Sequence, residues 1–171
     1  SDLLEHRLLN KWTYWFDSNK YESVSSSAQS SIEEVYTFST AEEFWGLYDG
    51  LYKSTSFPKG SDCFYLKYGV KPSDIDVRDG GKLKFAMKVN NNSEECWMHL
   101  ILFCIGEKFE QASNLVGFEL SIRSDFRVTL FFNYWAEDEA QNLVSNIKDC
   151  LELPEDTPFT FFGKNNTKLT Y

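Results

Sequence analysis

Two arginines have the residue type and the spacing to bind an anion. Arg123 and Arg127 flank the short turn Ser124-Asp-Phe126, between two segments in which apolar and polar residues alternate. A three-residue turn would place the two arginines opposite each other on the polar face of a hairpin. Two guanidinium groups there could hold phosphate oxygens bidentately. The alternative is an Arg–Glu network on a solvated sheet, because Glu119 shares that face and directly opposed like charges destabilise a strand pair.

Lysines on another predicted strand could extend such an anion site. Lys82 and Lys84 lie on the polar side of the alternating segment 82–89. The chain carries a formal net charge of −9, so its bulk charge does not favour nucleic acid. Any contact with nucleic acid therefore requires a local basic patch of this kind.

Sequence signals for catalysis and metal binding are weak. The chain has two histidines, His6 and His99, and its four cysteines include no CxxC pair. It contains no nucleophile, zinc or phosphate-loop motif, and its scattered carboxylates are typical of a solvated acidic surface. We therefore predict neither enzymatic activity nor a metal or cofactor. Since no run of about 18 apolar residues occurs, and the cysteine pattern suits a reducing compartment, we expect a soluble cytoplasmic protein without a membrane segment.

A capping box predicts the start of a helix at about residue 40. Ser39 and Glu42 have the required spacing. Thr40 and Glu43, one residue later, have it as well. The apolar face that follows has the helical spacing i, i+3, i+4, i+7 and consists of Phe44, Leu47, Tyr48 and Leu51. Trp45 points away from this face, so it belongs either to a wider core or to a partner-binding surface.

A second predicted helix, which begins at Ser93 and is ended by Gly106, is apolar on two stripes. One stripe consists of Trp97, Leu100, Ile101 and Cys104. The other consists of Met98, Leu102 and Ile105. A helix that is apolar nearly all round is either deeply buried or meets a partner. The second stripe could receive an amphipathic helix of another protein, and cover by neighbouring helices is the alternative.

The remaining patterns indicate a sheet with interspersed helices. Alternation predicts strands at residues 8–17, 32–38, 62–68, 82–89, 115–123, 127–134 and 159–163. Helices are predicted at 40–52, 93–105 and 137–151, and a polar loop at 18–31. The alternation assigns Val116 and Tyr134 to the buried face. The fold class is therefore α+β, an antiparallel sheet of about eight strands with three helices over one face, and the length favours a single domain over residues 1–171.

Seven motifs occur in one order along nearly the whole chain. They are His6-x-Leu8 with Trp12-x-x-Trp15-Phe16, Phe38-Ser-Thr-x-Glu-Glu-Phe-Trp-Gly-Leu-Tyr48, Pro58-x-Gly-x-Asp62, Gly69-Val-x-Pro72, Gly80-Gly-Lys82, Trp97 followed by Cys104-Ile-Gly-Glu-x-Phe109, and the Arg123 to Arg127 hairpin. Together they resemble the translation initiation factor 4E family, the mRNA 5′-cap-binding proteins. The resemblance covers about residues 6–163 and implies a cupped sheet with three helices on its convex back.

The resemblance implies a protein-binding surface on the convex back. There the family binds a partner helix that carries a Tyr-x4-Leu-hydrophobic motif. The positions that match the family's main contacts are Trp45, Met98 and Leu102, with Gly106 beside them. Further contact positions match His6 and Ala41. His99 stands where the family usually has an acidic residue that meets a basic partner residue, which implies an altered partner preference.

The resemblance also implies a cap pocket in the concave cup. The family sandwiches 7-methylguanine between two Trp rings, reads the guanine edge with a Glu, and holds the phosphates with basic residues. The basic positions match Arg123 and Arg127, with Lys82 nearby.

The ring pair and the guanine-reading carboxylate do not match. The first Trp position falls near Ala28, in a loop without Trp, and the second falls within residues 73–76, where Ile75 replaces the Glu. Tyr21 could supply a substitute ring, and Asp74 or Asp76 a substitute carboxylate.

Two functions follow from these expectations. The leading one is a divergent initiation-factor-4E-like protein, in mRNA translation or its regulation, that binds a partner helix through its convex face and has a weakened or remodelled cap site. The alternative is a genuine cap-binding initiation factor that uses substitute aromatic residues, for which capped mRNA is the second partner.

Overall fold

An eight-stranded antiparallel sheet organises the computed structural model, which describes residues 5–18, 31–51, 56–75 and 80–171. The strands are β1 (Arg7–Asp17), β2 (Ile32–Thr40), β3 (Asp62–Lys67), β4 (Gly81–Met87), β5 (Leu115–Ile122), β6 (Phe126–Phe132), β7 (Thr160–Gly163) and β8 (Lys168–Thr170). Their order across the sheet is β2-β1-β3-β5-β6-β4-β7-β8. The helices are α1 (Ala41–Gly50), α2 (Ser93–Gly106) and α3 (Ala140–Leu151). The predicted fold class is confirmed, and the strand missing from the prediction, β8, is too short to show an alternation.

The helices cover one face of the sheet and form the main core with it. Its largest fully buried rings include Trp12, Phe38, Phe44, Tyr65, Trp97 and Phe118. All five residues predicted for the buried face of α3 are buried, namely Ala140, Leu143, Val144, Ile147 and Leu151. Their spacing follows the helical period, so the burial of α3 was determined by its apolar stripe.

Helix α1 begins with the second of the two predicted capping boxes. The backbone N–H of Glu43 donates to the Thr40 hydroxyl at 3.1 Å, and the Glu43 carboxylate accepts from the Ser39 N–H at 3.2 Å. These hydrogen bonds satisfy donors that lack partners within the helix. The bond from Ser39 is the largest cause of a lowered pKa of the Glu43 carboxyl.

Helix α2 ends differently from the prediction. Gly106 is still helical, and Glu107 takes the left-handed conformation with φ of 52°. The buried Glu107 carboxylate lies 2.9 Å from Lys67 Nζ and accepts from Asn10 Nδ2 at 2.9 Å. Lys67 also donates to the Ala112 carbonyl at 3.0 Å. This polar cluster ties the end of α2 to β1 and β3, and it explains why a non-glycine residue adopts a conformation that usually favours glycine.

Three residues lie differently from the predicted pattern. The register between β5 and β6 shifts between Leu115 and Gly117, so Val116 joins a separate cluster with Phe131 rather than the main core. Tyr134 lies beyond the end of β6 and is 59% exposed. Ile105, predicted for the second stripe of α2, is buried in the main core. Residues 19–30 of the predicted loop lie outside the described residues.

Candidate functional site

The face of the sheet opposite the helices, here called the concave face, carries side chains in three rows. Paired residues of antiparallel strands point to the same side, so the strand registers define each row. The first row is Thr13, Leu66, Gly117, Phe131, Lys82, Phe162 and Lys168. The second row is Trp15, Phe64, Glu119, Thr129, Lys84 and Thr160. The third row is Asp17, Asp62, Ser121, Arg127 and Ala86.

The two arginines of the predicted anion site do not stand opposite each other. Ile122 pairs with Phe126, so the three-residue turn consists of residues 123–125 and contains Arg123. Arg127 pairs with Ser121 instead. The prediction of an opposed arginine pair was therefore wrong by one residue on each strand.

Each arginine already has a carboxylate neighbour in this chain. Arg123 Nη2 lies 3.4 Å from Asp62 Oδ1, and its Nη1 donates to the Ser61 carbonyl at 3.2 Å. Arg127 Nε donates to Asp125 Oδ1 at 2.9 Å. These partners differ from the predicted network with Glu119. Phosphate would have to compete with the two aspartates, so a phosphate role for Arg123 and Arg127 stays a prediction.

Apolar side chains fill the part of the concave face nearest β3. Phe64, Leu66, Val116 and Phe131 form a buried cluster there, and Trp15, Val70 and Ile75 pack against it. Ile75 is the position where the resembled family reads guanine with a carboxylate. Here this position contributes apolar packing, and it offers no acceptor for a base edge.

The substitute ring and carboxylates predicted for the cup are only partly described. Tyr21 and Asp76 lie outside the described residues. Asp74 ends the 3-10 turn Pro72–Asp74, and its carboxylate accepts from the Lys71 N–H at 3.3 Å. Asp74 thus caps its own turn.

The lysines predicted to extend the anion site lie together on β4. Lys82 Nζ is 5.7 Å from the Phe131 ring centroid, and Lys84 Nζ is 5.7 Å from that of Phe162. Cation–π contact of this kind holds an ammonium group over a ring while its other sides stay accessible. Basic and aromatic groups therefore meet at the β4 end of the concave face.

Glu119 is a concave-face carboxyl group that the sequence predicted only as an arginine partner. Burial raises its pKa to about 7, with the neighbouring Asp62 charge as the second cause. Burial also raises the pKa of Asp62, and the neighbouring Ser121 and Arg123 side chains oppose this shift. The pattern of alternation placed Glu119 on this face, but only the packing around it reveals the desolvation.

On the helix side, Trp45 lies at the surface of α1, where its ring contacts those of Phe44 and Tyr48. We use the name convex surface for Trp45 of α1 together with Met98 and Leu102 of α2. Trp45 is 37% exposed. One turn further along α1, the Tyr48 hydroxyl donates to Glu94 of α2 at 2.8 Å. Met98 and Leu102 follow Glu94 at four-residue intervals, so they share its stripe, and both are partly exposed. The predicted second stripe of α2 therefore consists of Met98 and Leu102.

A groove of about 570 Å³ continues the convex surface between α2 and α3. It is lined by His99, Leu102, Phe103, Gly106, Lys108 and Cys150. Three positions that the resemblance assigned to partner binding are thus brought together in one groove. A Cβ added to Gly106 would meet nothing within 4 Å, so the chain leaves open space there.

His6 and Ala41 lie at the other end of the convex side, at the start of α1. The His6 carbonyl accepts from the Ala41 N–H at 2.8 Å, and His6 Nδ1 lies 2.5 Å from Glu42 Oε1. This hydrogen bond is the largest cause of a lowered pKa of the Glu42 carboxyl. His6 therefore has an intramolecular role in addition to its predicted contact.

The sequence analysis did not single out two residues of the concave face, Phe162 and Lys168. Phe162 on β7 is 40% exposed, and Lys168 on β8 faces it across the strand pair. Recognising them requires β8, whose pairing brings position 168 beside position 162.

Within the described ranges, no group of three or more His, Cys, Asp or Glu residues is arranged to hold a metal ion. No helix among the same residues is long and apolar enough to cross a membrane.

The fold and its two faces define an α+β protein with a helix-lined apolar groove on one side and a basic, aromatic sheet face on the other. Residues 7–170 match the family model described as eukaryotic initiation factor 4E, and the chain belongs to that family. A curated relative, eukaryotic translation initiation factor isoform 4E of Arachis hypogaea, is 29% identical over 168 residues, covering 96% of this chain and 83% of that protein.

Solved structures share the fold at lower identity. The complex of Ascaris suum eIF4E-3 with m7G cap has a TM-score of 0.79 at 23% identity, covering 96% of this chain and 94% of that one. Schistosome eIF4E complexed with m7GpppG and 4E-BP has a TM-score of 0.80 at 21% identity, covering 95% and 91%. These structures show the shared fold, and the match to the family model confirms the family that the seven motifs indicated.

Proposed function

We propose that this protein is a divergent member of the initiation factor 4E family that acts in mRNA translation or its regulation in the cytoplasm. It binds an amphipathic helix of a partner protein through its convex surface, and its cap site is weakened or remodelled. The observation that carries the proposal is the exposure of Trp45 on α1 and of Met98 and Leu102 on α2, two helices that the Tyr48–Glu94 hydrogen bond holds together.

The physics of this surface favours a helical ligand. Met98 and Leu102, partly exposed at four-residue spacing, form an apolar stripe along α2. An amphipathic ligand helix buries its own i, i+4 anchors against an apolar stripe of this kind. Trp is enriched among residues that dominate binding energy, because its ring buries a large area at low entropic cost. Schistosome eIF4E, which shares this fold, is complexed with 4E-BP in its solved structure, and this supports a protein partner for the present chain.

The partner proposal is tested with a fluorescent peptide carrying a Tyr-x4-Leu-hydrophobic motif. We expect Trp45→Ala and Gly106→Leu each to weaken binding at least tenfold, as for a central interface residue. Tyr134→Ala, a change at a more exposed ring outside the groove, should bind like the unmodified protein. Circular dichroism melts verify that each variant is folded. Wild-type affinity in both Trp45→Ala and Gly106→Leu would refute the proposed surface.

The second half of the proposal concerns the cup. Ile75 packs against the apolar cluster, and the ring positions of the resembled family hold no Trp. A ring stacked on a desolvated cation is worth about 2 kcal/mol, so loss of both weakens cap affinity by roughly a thousandfold. Titration with a cap analogue, followed by Trp fluorescence, should therefore show no saturation at micromolar concentration.

Micromolar or tighter cap binding would instead favour the genuine cap-binding factor with substitute rings. In that case Arg123→Ala and Arg127→Ala should abolish binding, and affinity should fall steeply with salt. The two titrations use different ligands, so the two halves of the proposal fail separately.

A further inference from the structure

The first concave row alternates aromatic and basic residues where it crosses the last four strands. Phe131, Lys82, Phe162 and Lys168 lie on β6, β4, β7 and β8 and pair directly in that order. Neighbouring strands are about 4.8 Å apart, so Lys82 and Lys168 flank Phe162 with their Cα atoms roughly 10 Å apart. Lys84, in the adjacent row, faces the same side.

The Phe162 ring is the accessible aromatic surface of this strip. It is 40% exposed, whereas Phe131 is buried. Lys84 Nζ lies 5.7 Å and Lys168 Nζ 6.0 Å from the Phe162 ring centroid. An exposed aromatic ring between ammonium groups combines the two parts of a single-stranded nucleic-acid site, a stacking platform and phosphate contacts.

The charge of the strip contrasts with that of the whole chain. The protein carries a net charge of −9, yet Lys84 and Lys168 converge on the Phe162 ring, and Lys82 pairs with Phe162 across the neighbouring strand. The carboxyl group in the second row is Glu119, two strands away from Lys84. Because burial raises the pKa of Glu119 to about 7, its negative charge is only partly present near neutral pH and opposes an anion weakly.

We propose that Phe162, Lys82, Lys84 and Lys168 form a binding site for a single-stranded polynucleotide that does not need a 5′ cap. One base stacks on the Phe162 ring, and phosphates on its two sides contact the lysine ammonium groups. The site shares Lys82 and Lys84 with the predicted anion site of the cup, whereas Phe162 and Lys168 belong to neither half of the proposed function. Variants of Phe162 therefore test it separately from the partner surface and the cap site.

The proposal is tested by fluorescence anisotropy with labelled, uncapped 12-nucleotide RNA and with DNA of the same sequence. We expect saturable binding that weakens with salt. Loss of one stacked base should reduce affinity about fivefold or more in Phe162→Ala and in Phe162→Leu, which keeps apolar area. Lys84→Ala combined with Lys168→Ala should lower the slope of log affinity against log salt by about 1.4. The RNA and DNA arms decide which polynucleotide is preferred.

The chain provides a matched control in a second lysine–aromatic pair. Lys11 Nζ lies 4.8 Å from the ring centroid of Tyr68, which is 64% exposed. Lys11→Ala and Tyr68→Ala should bind the oligonucleotides like the unmodified protein. The proposal is overturned if the Phe162 variants bind normally, if the control variants weaken binding equally, or if polyglutamate competes as well as RNA, which would indicate a site for acidic peptides.

Discussion

The two faces of the sheet differ in what fixes their side chains. Along β4, Leu83, Phe85 and Met87 face the helices and are at most 5% exposed, and their burial follows from apolar alternation alone. Lys82 and Lys84, on the same strand, face the other side, and their surroundings depend on which residues the neighbouring strands place beside them. On the helix-covered face, burial therefore follows from the apolar alternation of each strand. On the concave face, the contacts of a side chain depend on the register between strands. Four substitutions test this difference, ordered by the expected size of their effect.

The largest effect is expected from a methyl group added within the sheet. A Cβ at Gly117 would lie 2.5 Å from the Tyr65 carbonyl oxygen and from Leu66 Cδ2, and a backbone atom cannot move aside. Gly117→Ala should cost about 2–4 kcal/mol and lower the melting temperature by about 5–15 °C. Gly106→Ala on α2 has open space and should change it by less than about 2 °C. Equal melting temperatures for the two variants would contradict the expectation that Gly117 is closely packed in the sheet while Gly106 faces open space.

The second effect is a pH dependence that arises from the concave face. The folded-state pKa of Glu119 is raised to about 7, so the folded protein keeps a proton that the unfolded chain loses near pH 4.5. The stability that this proton contributes is complete below pH 4.5 and is lost as the pH rises through about 7.

Glu119→Gln removes this loss of stability. The free energy of unfolding of the variant, relative to that of the unmodified protein, should therefore be higher at pH 8 than at pH 5 by on the order of 1–3 kcal/mol. Thermal melts at the two pH values measure the difference. Glu33→Gln, at an exposed carboxylate on β2, is the control and should show no such dependence. A pH-independent effect of Glu119→Gln would show that desolvation of this group is unimportant.

The third effect concerns the helix that carries Trp45. Thr40→Ala removes the acceptor for the Glu43 N–H and should cost about 1 kcal/mol, or roughly 2–4 °C in melting temperature. Thr40→Ser retains a hydroxyl and should recover most of that loss. If the Ala and Ser variants melt together, the capping hydrogen bond contributes nothing.

The smallest effect is expected at the solvent-exposed pair of His6 and Glu42 at the start of α1. His6→Ala removes the hydrogen bond that lowers the pKa of Glu42, so this pKa should rise toward its ordinary value in an NMR titration. Because the folded-state pKa of Glu42 is lowered, its ionised carboxylate stabilises the fold at pH values above the ordinary carboxyl pKa. This stability is lost as the pH falls through the lowered pKa. At pH 7 the melting temperature should change by less than about 1 °C. His99→Ala is the control and should leave the Glu42 titration unchanged.

The sequence predicted the elements well because burial on the helix side is periodic. The capped start of α1 and the apolar stripe of α3 both depend on spacings within one element, and both lie where they were predicted. The hairpin of Arg123 and Arg127 was misplaced because moving the turn by one residue changes each pairing by two residues, which keeps the same faces of the two strands together. Tertiary contacts, rather than local pattern, decide that register.

The candidate site was predicted unevenly for the same reason. Trp45 stood out because its position on a helix conflicted with the apolar face. Glu119 and Phe162 both fit the patterns of their strands. A polar residue on a solvent-facing side and a Phe in a short strand are common, so neither residue stood out. Their environments exist only when strands distant in sequence are paired.

The polar cluster at the end of α2 limits how this chain can diverge. Asn10, Lys67 and Glu107 come from three parts of the fold, and removing Lys67 would leave the buried Glu107 charge without its partner at a cost of about 3–5 kcal/mol. Joint replacement by apolar residues of similar volume avoids that cost. Substitutions at these positions must therefore occur together. The end of α2 and the adjoining groove can thus change only by coupled substitutions, whereas residues of the surrounding surface can be substituted one at a time.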